Sequence, residues 1–475
     1  MKMPILQPVE PRRSIYNLEP QHLLARAALN LPGMTSIRIC DLFPDCPDPI
    51  SAESPSEVIR VARELTMRSL EGVNLEKIQE EDSVNILASH HGFSIYGGDF
   101  YAEMIRCIRD EVVRRCGTQR IYLRAGVGLR FQESDEYIER FKLDEHFEGK
   151  AGSITPVDRA IPIETEVGTL YGIGKAYSTR WIIQAHNNDI RELHYHRMMG
   201  RLFKPFAMSY ATIETRSAYH QSMGPRAANL LPRMIYESPF VQSRFVCSVI
   251  MKVSPFGVIG VDANNDLVEQ NEYFTRLNLD WYGRIITLLS KIKEAIVIID
   301  YPGPIPYTTA GGLLFGNFLN ANVDEFDLNI PFTPFTRYTD MVYPNASPLK
   351  EGILPPPNPS IKSLIINYCS KGYPSTFFAQ QIPTIVVDQQ ADLFRSCEQN
   401  PLFMDNAMEA KDLSKAADFA KRVSGTENIL VFDGAVGGFN VSEPLAKEMQ
   451  RLAPEVAREV DRDLMPMWLE QRGIV

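Results

Sequence analysis

The sequence predicts an α/β protein of two domains with mainly parallel sheets, and three observations carry that expectation. Short strands alternate with amphipathic helical patterns along most of the chain, the signature of parallel sheets joined by right-handed crossovers. The strand runs are continuous and β-branched, as in Ala295-Ile296-Val297-Ile298-Ile299, and so read as buried on both faces. The 475 residues exceed what one hydrophobic core organises. The expected division is 1–290 and 291–475, with the Ala295 strand opening the second domain.

The elements follow in order. Residues 1–55 are proline-punctuated, with a helix expected around Gln21–Leu31, and Glu57–Leu70 has an amphipathic helical pattern. Val84–Ala88 is a strand, followed at its carboxyl end by Ser89-His90-His91-Gly92. Asp99–Cys116 is a helix with Asp99 as cap, an apolar stripe through Met104, Ile105, Ile108, Val112 and Val113, and Gly117 as its stop. Arg120–Ala125 is the next strand, and Gly126-Val127-Gly128 leads into a helix from about Ser134. Trp181-Ile182-Ile183 is a short buried strand, and Ala207–His220 has roughly helical spacing. Phe245–Met251 and Phe256–Val261 are two strands around Ser254-Pro255, and a helical run spans Leu267–Ile292. Beyond the Ala295 strand, Tyr343–Ser360 is a proline-rich loop too long for a plain connector. Leu364–Ile366, Ile382–Val387 and Ile429–Phe432 are further strands.

Composition narrows the partners. Apolar content of 44% and charged content of 23% are those of an ordinary globular protein. A net charge of −10 leaves no basic field to recruit nucleic-acid phosphates. No apolar run approaches the length of about 18 residues that spans a bilayer, and no signal segment opens the chain, so no membrane partner is expected. Seven scattered cysteines, without a Cys-x-x-Cys pair, fit a reducing compartment and a cytoplasmic location.

The chemistry is expected between Leu193 and His220. Three of the eight histidines, His194, His196 and His220, lie there with Arg197, Arg201, Lys204 and Arg216. Imidazole takes and gives protons near neutrality and ligates metals. Lys204, between Phe203 and Pro205, is placed for desolvation, which lowers an amine's pKa and makes it a nucleophile or attachment point. Strand, basic loop and helix together form the arrangement in which open α/β sheets bind ligands. Gly126-x-Gly128 and Gly172-Ile173-Gly174-Lys175 both fail nucleotide-binding patterns. His186, His146 and His22 read as structural or exposed.

His194, Lys204 and His220, spaced by ten and then sixteen residues, resemble the cofactor segment of the nickel-dependent lactate racemase family, and Ala211, Thr215 and Ala218 match around the helix. The resemblance runs in order through Ser83–Phe439. It implies two α/β domains with the active site in the cleft between them. It also implies a nickel-pincer nucleotide, a pyridinium dithio-type mononucleotide carried on Lys204, with His220 on the nickel and maturation enzymes that supply the cofactor. The family inverts a 2-hydroxy acid by moving hydride from C2 to the cofactor and back, with two histidines transferring the hydroxyl proton.

His194 stands at one of those histidines; Arg130 stands at the other and, with a pKa above about 12, cannot act as a base. The family's Ser-Gly-Gly-Arg-Lys becomes Gly200-Arg201-Leu202-Phe203-Lys204, and its Asp-x-Thr-Arg-Pro becomes Ser89-His90-His91-Gly92-Phe93. These departures imply a substrate other than lactate. The expectation is that His90 or His91 replaces the second base, that Arg130 binds the carboxylate, and that Arg201 contributes to the cofactor loop. Two alternatives stand beside it. His194-x-His196 with His220 would suit a zinc hydrolase or lyase, and the missing base would suit a non-catalytic ligand-binding homologue.

Overall fold

The computed structural model describes residues 3–4, 27–47, 49–94, 98–127, 133–188, 201–221, 227–254, 257–300, 324, 326–329, 358–368, 376–396, 402–432 and 438–474. It is an α/β protein with two mainly parallel sheets. The described residues form two compact units: 3–4, 49–188 and 201–278 in the first, 27–47 and those from 279 onward in the second. The expected boundary at 290 is the end of the helix Leu267–Ser290, whereas the division falls inside that helix, after Asn278. Residues 27–47 group with the second unit because Met34–Arg38 is a strand of its sheet.

The first unit's sheet has the strand order Gly257–Asn264, Phe245–Ser254, Trp181–Asn187, Val84–Ser89, Ile121–Gly126, Ala151–Ile154. All pairs are parallel except the first, an antiparallel pair. From Val84–Ser89 the chain adds strands on one side, through Ile121–Gly126 to Ala151–Ile154. It then returns to the other side with Trp181–Asn187 and Phe245–Ser254. The order therefore reverses between Val84–Ser89 and Trp181–Asn187, and a crevice opens at such a point beyond the strands' carboxyl ends. Every residue of these two strands is buried, the polar Asn85, Ser89, Gln184, His186 and Asn187 included.

The flanking helices start on recognisable signals. Ser54 caps Pro55–Leu70 by accepting the Glu57 amide N–H at 3.2 Å, with proline at the first helical position. The helix Gly98–Cys116 begins one residue before its expected cap, so Asp99 lies in the first turn, where a carboxylate favours the helix dipole. The hairpin Ala160–Thr165 with Gly168–Ile173 was not foreseen; it is a separate two-stranded antiparallel sheet. The Ala207–His220 pattern resolves into two pieces, Lys204–Ala207 and Ile213–Gln221.

One side chain shapes the crevice. The ladder between Val84–Ser89 and Trp181–Asn187 ends at Leu87 and Gln184, although both strands continue. There the Tyr101 hydroxyl accepts the Ser89 amide N–H at 3.4 Å and donates to the Ala185 carbonyl at 2.6 Å. It replaces the missing ladder bonds. Gly92 permits this, because a Cβ at that position would lie 2.2 Å from the Tyr101 ring. Tyr101→Phe leaves two buried backbone groups unbridged, so an expected loss of about 1–3 kcal/mol in a denaturant titration follows. An unchanged midpoint would show that the bridge contributes nothing.

In the second unit the sheet order is Met408–Ala410, Thr384–Val387, Ile361–Tyr368, Ala295–Asp300, Ile429–Phe432, Gly438–Ser442, Met34–Arg38. The first five are parallel and the last two antiparallel. Ile296, Ile298, Ile365 and Ile385 pack on Ala416, Ala417 and Ala420 of the helix Leu413–Ser424. Small residues on that helix let it lie close to the sheet. At the carboxyl end of the central strand, buried Asp300 accepts from Asn367 Nδ2 at 2.8 Å and from the Ala28 amide at 3.3 Å. The expected loop Tyr343–Ser360 lies, up to residue 357, outside the described residues. Among the described residues, no helix is long and apolar enough to cross a membrane.

Candidate functional site

Three neighbouring strands of the first unit end together, and the residues at their ends line a pocket. His90 and His91 follow Val84–Ser89, Val127 follows Ile121–Gly126, and His186 is the penultimate residue of Trp181–Asn187. Arg201, Lys204, Pro205, Met208, Ser209 and Arg216 complete the lining. The cavity measures about 30 Å³, room for one or two water molecules.

Local contacts position the cationic residues. Leu202 is held at both backbone groups: its carbonyl accepts from Gln184 Nε2 at 2.9 Å and its amide donates to Asn271 Oδ1 at 3.2 Å. Phe203 packs against Tyr236 with ring centroids 5.2 Å apart, and Phe206 packs against Tyr210 and Tyr236. Tyr210 donates its hydroxyl to the Leu87 carbonyl at 3.0 Å, tying this segment to the Val84 strand. Gly126 permits the close approach, since a Cβ there would lie 2.5 Å from the Ser209 carbonyl oxygen. Gly126→Ala is expected to push Ser209 outward and destabilise the fold by about 1–3 kcal/mol. A thermal melt unchanged from the parent would contradict that.

Three cationic side chains are among the described residues that line the pocket. Arg201, Lys204 and Arg216 are 3%, 4% and 6% exposed, and no carboxylate lines the pocket among the described residues. Burial brings Arg216 down to about 10, so it stays charged at neutral pH. Its Nε donates to the Ala211 carbonyl at 3.1 Å and one terminal nitrogen to the Val127 carbonyl at 3.3 Å, which fixes the guanidinium at the pocket wall. Lys204 is as desolvated as its apolar neighbours predict.

His90 and His91 sit side by side, ring centroids 3.8 Å apart, at the start of the helical turn His90–Ser94. His186 is 1% exposed. Its Nε2 lies 3.2 Å from Ser89 Oγ, and its Nδ1 lies 2.7 Å from the Asn187 amide nitrogen and 2.9 Å from the Asn187 carbonyl oxygen. Burial, reinforced by the positive charges of Arg201 and Lys204, holds its pKa well below the usual imidazole value of 6.5. The native ring therefore refuses a proton that the unfolded chain accepts. Stability is full above about pH 6.5 and falls on acidification, by about 1.4 kcal/mol per pH unit for one such group. His186→Gln is expected to flatten that acid limb in pH-resolved urea titrations; an equally steep limb would place the linkage on another residue.

The structure thus gathers His90, His91, Arg201 and Lys204 of the residues singled out in the sequence. His194, His196 and Arg130 lie outside the described residues, as do Gly128 and His22. The backbone of His220 belongs to the helix Ile213–Gln221, while its side chain is not described. The sequence reading missed two contributors. His186, expected to be structural or exposed, lines the pocket; its place three residues beyond Ile183, at a strand's carboxyl end, was the available signal. Arg216, noted only as part of the basic stretch, also faces the site. His146 is structural, its Nε2 lying 2.9 Å from Asp110 Oδ1. Among the described residues, no three His, Cys, Asp or Glu side chains converge on a metal position. The chain matches no protein-family model and no curated protein.

Proposed function

We propose that this protein is a racemase or epimerase of a 2-hydroxy acid, working through a nickel-pincer nucleotide carried on Lys204. The observation that carries the reading is the burial of Lys204 in a histidine-lined pocket that has two buried arginines and no carboxylate among its described residues. The residues suit such a group. Lys204 offers a desolvated amine for attachment, and Arg201 and Arg216 offer forks for phosphate or carboxylate. His220, by the resemblance of its spacing, is the proposed nickel ligand. When bound, the group supplies the hydride acceptor that an unactivated C2–H requires.

The chain's own residues have three tasks. The arginines hold the substrate carboxylate, in company with Arg130 as the resemblance proposes, and so fix which face of C2 is presented. His91 or His90 takes the hydroxyl proton on one side, and His194 is its proposed counterpart on the other. The pocket walls, Val127, Pro205 and Met208, limit water beside the reacting carbon. Maturation enzymes that build and load the nucleotide are the implied partners.

Solvent isotope distinguishes this chemistry from proton abstraction at carbon. The chain, co-produced with pincer-cofactor biosynthesis enzymes, is incubated in D2O with a panel of single-enantiomer 2-hydroxy acids, followed by chiral chromatography and mass spectrometry. Inversion with the C2 hydrogen retained is the expected outcome. Deuterium at C2 of the inverted product would overturn the hydride route.

A further inference from the structure

We propose that the amino edge of the first unit's sheet carries a separate anion site, where Arg180 and Arg244 together hold a small diphosphate-type molecule. The site goes beyond the racemase reading and does not depend on it. It begins with a repeat in register: Arg120 stands directly before the strand Ile121–Gly126, Arg180 before Trp181–Asn187 and Arg244 before Phe245–Ser254. Trp181–Asn187 and Phe245–Ser254 are parallel neighbours, and the Ile182 amide donates to the Arg244 carbonyl at 2.9 Å. Two arginines distant in sequence therefore meet at one edge. The pocket lies at the other end of the same sheet.

Both guanidiniums are fixed, and through the same residue. Arg180 Nη1 donates to the Ser243 carbonyl at 3.4 Å, and its guanidinium carbon lies 4.2 Å from the Trp181 ring centroid. Arg244 Nη1 donates to Ser243 Oγ at 3.1 Å and to the Phe240 carbonyl at 2.9 Å. Its guanidinium carbon lies 4.0 Å from the Phe240 ring centroid. These bonds use one terminal nitrogen of each arginine, and the edge formed by Nε and Nη2 makes no hydrogen bond among the described residues. Burial, and after it the positive charge of Arg180, draws Arg244 below the ordinary arginine value. Among the described residues neither arginine forms an ion pair with a carboxylate. Asp82 is engaged elsewhere: its Oδ2 accepts from Trp181 Nε1 at 2.8 Å and from the Gln79 amide at 2.9 Å. Lys77, 5.4 Å from the Trp181 ring centroid, adds a further positive charge. Two forks held by aromatic faces and Ser243 have given up side-chain freedom in advance, which lowers the cost of binding. Their like charges repel until an anion lies between them. A single carboxylate fills one fork, whereas a diphosphate presents acceptor oxygens to both at once.

The test titrates the purified full chain with pyrophosphate in a calorimeter, with acetate as the single-carboxylate comparison. Pyrophosphate is expected to bind with a Kd below about 1 mM and at least about tenfold more tightly than acetate. Arg180→Gln and Arg244→Gln should each weaken it by about tenfold or more, the usual worth of a charge-assisted fork. Arg120→Gln should keep the affinity, because the strand Val84–Ser89 separates Arg120 from the pair and its Nη1 bonds the Glu81 carbonyl at 2.8 Å. Arg216→Met, at the pocket, should keep it too. Affinity unchanged in R180Q/R244Q, affinity lost in R216M instead, or acetate binding as tightly as pyrophosphate would each overturn the proposal. A measurement on the unaltered chain guards against variants that fail to fold. Phenylglyoxal labelling of arginines, read by peptide mass spectrometry, should be suppressed at Arg180 and Arg244 by saturating pyrophosphate. Labelling of both at an unchanged rate would overturn the site equally.

Discussion

Lys204→Ala is expected to leave a folded chain with no covalently held nucleotide and turnover reduced by more than about 10³-fold, equivalent to about 4 kcal/mol of transition-state stabilisation. The reason is positional. Lys204 is 4% exposed, in a segment anchored through Leu202 to Gln184 and Asn271, so the proposed point of attachment is part of the packed unit. Lys204→Arg should fare no better, since a guanidinium with a pKa above about 12 is a poor nucleophile at neutral pH. Mass spectrometry of the intact variants, with the turnover assay beside it, checks both statements. Racemase activity surviving in K204A would take the lysine out of the chemistry.

The second large effect belongs to the histidine pair after the Val84 strand. One of His90→Gln and His91→Gln should lower kcat by about 10²–10⁴-fold, the usual worth of a positioned proton-transfer group. The less buried His91 is the stronger candidate. His90 is 7% exposed and belongs to the same turn, so its substitution is expected to act more through stability. Arg216→Met should instead raise KM more than it lowers kcat, because it removes the proposed carboxylate or phosphate contact, which ground and transition states would share. Full turnover in the H90Q/H91Q double variant would move the second base to another position, with His196 the next to examine.

Much of this fold was legible because its strands are buried on both faces. Ala295–Ile299 reads as an unbroken apolar run and Val84–Ala88 as one interrupted only by Asn85, and helices such as Pro55–Leu70 announce themselves by cap and stripe. What escaped was long-range. Nothing local tells Met34–Arg38 to pair with Gly438–Ser442, some 400 residues away, and this pairing moves 27–47 into the second unit. The site was legible to the same degree. Phe203 and Pro205 forecast a desolvated Lys204, and the strand end forecast the place of His90 and His91. His186 escapes because the expected strand stops at Ile183, whereas the strand runs on to Asn187 and carries the histidine to its carboxyl end. Only the reversal of order between Trp181–Asn187 and Val84–Ser89 makes its position the mouth of a crevice. Tyr101, whose hydroxyl props the two strands apart, carries no sequence signal for that task.

The most direct measurement is the intact mass and metal content of the chain produced with and without the pincer-cofactor biosynthesis enzymes. The expected result is a mass increase present only in the co-produced chain, localised to the peptide containing Lys204 and accompanied by stoichiometric nickel. His220→Ala should then keep the mass increase and lose the nickel. An unmodified chain from both preparations, with zinc or no metal bound, would contradict the assignment of Lys204 as the cofactor's attachment point.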